Sequence, residues 1–216
     1  MNMTQAALAP AKTRNFYDRI ADVHNVALKL NGYRDSVSKY LKSLDLDIKP
    51  DSMVLDAGSG TGIVTMGFQD AGYLPRAMVT FDISYNSLTL AQDEFRKERW
   101  IDSKKIKPVQ GNILRLPFAD ESFDFIITCG VLEYVPLDEG LRELSRVLKP
   151  DAKMVLMPVK PSLIGSILER LYNFKIHPTR KVKKVSQKYF NIVGNHKFPI
   201  TEPIAWSKTI FLLEKS

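Results

Sequence analysis

Cysteine is almost missing from this chain: Cys129 is the single one in 216 residues. One thiol closes no intrachain disulfide and builds no cysteine-based metal cluster, which excludes the small secreted scaffolds that depend on either. No metal site is expected. Long hydrophobic runs are lacking too. No stretch reaches the roughly 18 apolar residues that a membrane-spanning helix needs. Residues Met1 to Lys12 carry neither the basic start nor the apolar centre of a signal peptide. The expectation is a cytoplasmic protein, with peripheral contact to a membrane left open. The glycine-rich segment at 58–62 is followed by no Gly-Lys-Ser/Thr element, so a phosphate-cradling P-loop is excluded. Nor does it reach the third glycine of a dinucleotide fingerprint, because Ile63 stands at that place. Internal repeats and low-complexity tracts are absent.

What is present is an ordinary globular composition, with 44% hydrophobic and 25% charged residues. A chain of this length buries about 70% of the surface that its unfolded form exposes, enough for one core without staples. A single domain over residues 1–216 is expected. Charge is unevenly placed: the net value is +7, yet residues 149–216 hold 13 basic and 4 acidic side chains, which leaves residues 1–148 at −2. That split disfavours a uniformly basic nucleic-acid binder. It fits a basic C-terminal third facing an anionic substrate or an acidic membrane surface, the bland alternative being a solvated face. The densest basic run, Arg180, Lys181, Lys183, Lys184 and Lys188, is interleaved with Val182, Val185 and Tyr189 at helical spacing, as in an amphipathic helix.

Strand and helix signals alternate through the middle of the chain. A short apolar run predicts a strand at 53–57, and 77–81, 106–110, 123–129 and 153–159 read as further strands. Between them, helical periodicity predicts helices at 63–71, 86–99 and 137–148, the first closed by Gly72 and the last stopped by Pro150. Such alternation implies an α/β fold with a doubly wound, mostly parallel sheet. Upstream, 15–46 reads as two helices broken near Gly32. Downstream, 162–174 and 179–190 read as helices, and 191–198 with 206–214 as two strands of an antiparallel C-terminal hairpin. Seven strands result.

The densest chemical signal follows the first strand. Asp56 and Ala57 lead into Gly58-Ser59-Gly60-Thr61-Gly62 and then a helix, so the backbone passes close to a ligand and the first helical N–H groups face it. A carboxylate there can hold a cationic group and repels a pyrophosphate. Asp82 ends the second strand 20 residues past Gly62, where a carboxylate can accept from both hydroxyls of a ribose. Gly111-Asn112-Ile113 follows the third strand, and Arg146-Val147-Leu148-Lys149-Pro150 approaches the fifth.

In this order the motifs closely resemble the class I S-adenosylmethionine-dependent methyltransferases, in particular the small-molecule group that includes the ubiquinone and menaquinone enzymes. The resemblance runs from about Phe16 to the C-terminus and is dense from Val54 to Val159. It implies a Rossmann-like sheet, S-adenosyl-L-methionine as cofactor, and a cofactor site drawn from Asp56, Ala57, Gly58, Ser59, Gly60, Thr61, Gly62, Asp82, Ile83, Asn112, Ile113 and Cys129. It also divides the chain into a helical N-terminal lid at 1–50, a cofactor-binding core at 51–160, and substrate-lid helices with the hairpin at 161–216. The chain departs from the group in three places. Asn112 stands where many members have Asp, Asp151-Ala152 replace two glycines, and the last helix is basic where relatives are often acidic.

Methyl transfer needs an acceptor held in line with the methyl group and shielded from water. A general base is needed only if the acceptor keeps its proton. Tyr17 and His24 of the lid, and Glu133 after the fourth strand, are the candidate acceptor-side catalytic residues. Each has a structural alternative: ring packing for Tyr17, a lid histidine for His24, an exposed helix start for Glu133. The segment after the fourth strand reads Cys129-Gly130-Val131-Leu132, without the Asn/Asp-Pro-Pro-aromatic motif of amino-group methylases or the Pro-Cys of cytosine-C5 methylases. The expected acceptor is therefore a small molecule and no nucleic-acid partner is expected; the apolar segment Pro161 to Leu168 with Leu171, Tyr172 and Phe174, next to Lys181, Lys183 and Lys184, suits an amphiphilic, lipid-like or quinone-like one. The rivals are an RNA or protein methyltransferase, and a catalytically silent cofactor-binding partner module.

Overall fold

A computed structural model describes residues 32–44, 46–199 and 201–216. Seven strands form one sheet: β1 (Met53–Ala57), β2 (Ala77–Asp82), β3 (Ile106–Gln110), β4 (Phe123–Cys129), β5 (Leu148–Met157), β6 (Phe190–His196) and β7 (Ile210–Lys215). Their order is β3-β2-β1-β4-β5-β7-β6. The first five are parallel, and β7 pairs antiparallel with both β5 and β6. The order reverses direction between β1 and β4, so the loops leaving these two strands diverge and open a crevice at the carboxyl edge of the sheet.

Apolar side chains alternate along the central strands and feed two cores, one on each face, as expected of a sheet covered on both sides. Val54, Phe125, Ile127, Val155 and Met157 join one cluster, while Leu55, Ala57, Ile126, Met154 and Leu156 join the other. Three helices serve the first cluster: α1 (Tyr33–Ser43), α2 (Ile63–Asp70) and α3 (Tyr85–Lys97). In α1, Tyr33, Val37, Tyr40 and Leu41 are buried at helical spacing. In α3, the Ser84 hydroxyl caps the helix by accepting from Ser87 N–H at 3.1 Å, and Leu88, Ala91 and Phe95 face inward. The opposite cluster is covered by α4 (Leu137–Val147) through Leu137, Leu141, Leu144 and Val147, and by Val182 of α6 (Thr179–Ser186). Between them, α5 (Leu163–Tyr172) buries only Gly165.

The sequence-based boundaries hold for β1, β3 and β4 and shift at the C-terminal end. Leu148, expected to end a helix, begins β5 by pairing with Phe123, and the register then slips before Lys153 pairs with Phe125. Pro150 therefore lies in a bulge, where its missing N–H leaves no ladder bond unmade. Asp151, where the family resemblance leads one to expect glycine, adopts φ +57, a left-handed conformation that aspartate tolerates better than most side chains. The helix expected at 179–190 stops at Ser186, because Phe190 is drawn into the core as the first residue of β6. Trp206, expected in the last strand, closes a short 3-10 turn instead, and the ladder starts at Ile210. Of the two helices expected at 15–46, the second is α1, with Gly32 at its N-cap at φ +61. The first lies outside the described residues.

Candidate functional site

The loop after β1 sits at the crevice. Gly58 and Ser59 both donate their N–H groups to Phe81 O, at 2.7 and 3.0 Å, which ties the loop to the end of β2. Gly58, Gly60 and Gly62 all have positive φ. A Cβ on Gly58 would lie 2.5 Å from Val131 Cβ, and one on Gly62 would collide with the Phe95 ring, whereas a Cβ on Gly60 would meet open space. Two of the glycines thus let the loop press against α3 and the segment after β4, and the third leaves room above the loop. Gly62 also caps α2, whose first N–H groups face the same space.

Asp56 lies under this loop, 1% exposed. Its Oδ2 accepts from the Thr65 hydroxyl at 2.6 Å, while Oδ1 has no partner among the described residues. Burial pushes this carboxyl up to about 7, with the nearby Asp82 adding to the rise and the Thr65 bond opposing it. An incoming cation would restore the ionised form. The hydroxyls of Ser59 and Thr61 are likewise buried and unpartnered among the described residues.

Across the loop, Asp82 accepts from Gly60 N–H at 2.8 Å and from Ser84 N–H at 2.9 Å, one on each carboxylate oxygen. Ile83 beside it receives a bond from Gln110 Nε2 at its carbonyl. Asn112 closes an Asx turn by accepting from Leu114 N–H at 3.0 Å, and Ile113 is buried. This loop is held from behind by Arg146. Its guanidinium donates to the Phe118 and Leu116 carbonyls and to Glu143 and Asp120, while Glu143 accepts from Leu116 N–H at 2.8 Å. The segment that approaches the fifth strand thereby anchors the loop after β3.

Beyond β4 the structure gathers groups that the sequence did not connect. Glu133, expected as an exposed helix start or a base, is 4% exposed in a 3-10 turn; its Oε1 accepts from Val159 N–H at 2.5 Å and its Oε2 is unpartnered among the described residues. Cys129 Sγ lies 2.8 Å from the hydroxyl of Tyr33 on α1. Burial raises both the Tyr33 hydroxyl and the Cys129 thiol, so neither ionises at neutral pH. Lys208 reaches the same place: its Nζ would lie 2.7 Å from a Cβ on Gly130. Tyr33 and Lys208 come from opposite ends of the chain and carry no local motif. Tyr17 and His24 lie outside the described residues.

A family described as a methyltransferase domain matches residues 55–156. The ubiquinone/menaquinone biosynthesis C-methyltransferase of Shewanella frigidimarina is 30% identical over 173 residues, covering 74% of this chain and 68% of the relative. The chain belongs to the class I S-adenosylmethionine-dependent methyltransferases. Solved structures share its fold. Geranyl diphosphate C-methyltransferase of Streptomyces coelicolor, solved with S-adenosyl-L-homocysteine, superposes at a TM-score of 0.67 with 16% identity, over 83% of this chain and 78% of that one. A Haloferax volcanii putative methyltransferase in complex with the Trm112 activator gives 0.75 with 13% identity, over 92% and 97%.

S-adenosylmethionine is thus the methyltransferase's cofactor, and the crevice suits it. The unpartnered Asp56 Oδ1 matches a ligand with an ammonium group, and the open space above Gly60 admits a backbone-hugging chain. When bound, the cofactor supplies an electrophilic methyl group on a sulfonium.

Proposed function

We propose that the methyltransferase acts on a small amphiphilic acceptor of quinone-like or lipid-like character. In this reading Asp56 and the 57–62 loop hold the methionine end of the cofactor, Asp82 and Ile83 the ribose, and Asn112 and Ile113 the adenine. The backbone of Cys129 borders the methionine side. One lone pair of Asn112 Oδ1 is already engaged by Leu114 N–H, which leaves the other for an amino group.

The observation that carries the acceptor reading is the apolar face of α5 and its attachment to the Glu133 turn. Leu163, Ile167 and Leu171 are 79%, 54% and 62% exposed, and Trp206 beside the helix N-terminus is 49% exposed. Ser162 Oγ donates to Trp206 O at 2.7 Å. At the other end, Tyr134 packs against Phe174, and Lys175 N–H donates to Glu133 O. An apolar helix is thereby fastened to the turn that carries the buried carboxylate, so a greasy acceptor would meet both. The naming of the Shewanella relative for quinone biosynthesis supports the same class. Binding of the acceptor against this face would exclude water from the methyl group and fix the line of attack, and proximity would supply much of the acceleration.

The test is incubation with methyl-labelled S-adenosylmethionine and a panel of reduced naphthoquinones, phenols, amines and fatty acids. Label extracted into the organic phase with a mass gain of one methyl supports the reading. Label retained only in added RNA or protein overturns it.

A further inference from the structure

We propose that Lys208 is an acceptor-binding residue, whose ammonium receives an anionic oxygen of the acceptor above Gly130. The inference rests on the small-acceptor reading and adds the charge of the molecule to it. Lysine is almost never fully buried without a partner, yet Lys208 is 9% exposed. No described carboxylate lies within ion-pair distance of its Nζ and no described group shares a hydrogen bond with it. The stem is what is buried, while the ammonium at its tip keeps access to solvent and stands ready for an anionic partner.

Its position is built rather than incidental. Lys208 forms an isolated antiparallel bridge with Val159, the residue whose N–H holds Glu133 Oε1. Its neighbours are fixed as well: Lys160 N–H donates to Ser207 O at 2.8 Å, and Thr209 N–H to Pro158 O at 3.2 Å. The stem is therefore clamped on both sides while the ammonium extends to Gly130. That glycine has φ +71, and any side chain there would occupy the space of the Nζ. The titratable group within electrostatic reach of the ammonium is Cys129, which is bonded to Tyr33, and the charges of Glu133 and Asp56 act on that same pair. The ammonium is close enough to Cys129 to oppose the rise that burial imposes on the thiol. Cys129 and Tyr33 stay neutral, so one cation and one carboxylate remain to define the polarity of the acceptor side. A ring bearing an ionised hydroxyl or a carboxylate would pair with Lys208 and place its hydrocarbon part toward α5.

The experiment uses the full chain loaded with S-adenosylhomocysteine and two matched pairs of probes, read by calorimetric titration. The pairs are 2-hydroxy-1,4-naphthoquinone against 1,4-naphthoquinone, and benzoate against benzamide, and the variants are Lys208→Gln and Lys208→Arg. The expected result is a preference of roughly tenfold or more for the anion in the wild type, as a charge-assisted bond gives. That preference should be lost in Lys208→Gln, largely kept in Lys208→Arg, and accompanied by unchanged S-adenosylhomocysteine affinity in all three proteins. A naphthoquinone pair that binds without charge preference, or with one indifferent to Lys208→Gln, overturns the role of Lys208 and leaves the quinone-like reading standing. A Lys208-dependent preference confined to benzoate keeps the inference and overturns the quinone-like reading. Absence of binding by all four probes overturns both.

Discussion

Asp56 is the buried carboxyl of the proposed cofactor site. Its ordinary value of 3.8 applies to the unfolded chain, and burial raises the folded value to about 7. The folded state thus binds the extra proton between these values, so the contribution of this group to stability is fully present below 3.8 and is lost as pH rises through 7. In the protein without cofactor, Asp56→Asn removes that penalty. Thermal melts should show the variant more stable than wild type at pH 8, by on the order of 2 to 4 kcal/mol, with the gap closing toward about pH 4. Cofactor affinity runs the other way. Pairing with an ammonium requires the carboxylate, so wild-type binding should weaken as pH falls below about 7, and Asp56→Asn should bind weakly with little pH dependence. A variant that melts at the wild-type temperature at pH 8 would contradict the buried, strained state of this carboxyl.

At the scale of elements, the loop after β3 owes its shape to Arg146 on α4. Arg146→Ala removes donors from two loop carbonyls and from Glu143 at once. With the guanidinium about 30% exposed, the expected loss is about 1–2 kcal/mol, discounted for solvent screening. Arg146 lowers the Glu143 carboxyl. That stabilisation is present above the ordinary value of 4.5 and is lost as pH falls through the lower folded value, so wild-type and variant melting temperatures should converge in acid. Equal melting temperatures at pH 7 would show that the loop does not depend on this anchor. The elements themselves were legible in the chain for a physical reason: β1 and β4 are short apolar runs bounded by glycine or polar turns, and parallel strands buried on both faces require that pattern, while β3 at the sheet edge buries only Ile106. The start of β5 was not legible. Pro150 reads locally as a stop, and only the pairing of Leu148 with Phe123 carries the strand across it.

For the whole molecule, the half of the candidate site built from contiguous sequence carries a local motif and the half built from distant segments does not. The 56–62 loop and Asp82 stand at the ends of adjacent strands, and their spacing carries the information. Tyr33 meets Cys129 across 96 residues, and Lys208 arrives from the far end of the chain, so no local period or motif could place them together. The sharp charge split of the sequence does take a spatial form: Arg180, Lys181 and Lys184 of α6 are outward-facing, while Lys183 packs over the Phe211 ring. Among the described residues no helix is long and apolar enough to cross a membrane. The peripheral contact with an anionic bilayer that the charge split leads one to expect would use these cations. The protein should co-sediment with vesicles containing acidic phospholipid at low salt, and Arg180→Gln, Lys181→Gln and Lys184→Gln together should abolish this. Sedimentation unchanged in the triple variant would exclude α6 as the contact. The central claim is that the loop after β1 and Asp82 form the cofactor site, and calorimetric titration with S-adenosylmethionine and S-adenosylhomocysteine tests it most directly, with NAD as control and Asp82→Ala as second protein. The account predicts binding of both adenosyl ligands, none of NAD, and a loss of roughly tenfold or more in Asp82→Ala. Equal binding by a folded Asp82→Ala, or no binding by the wild type, would contradict it.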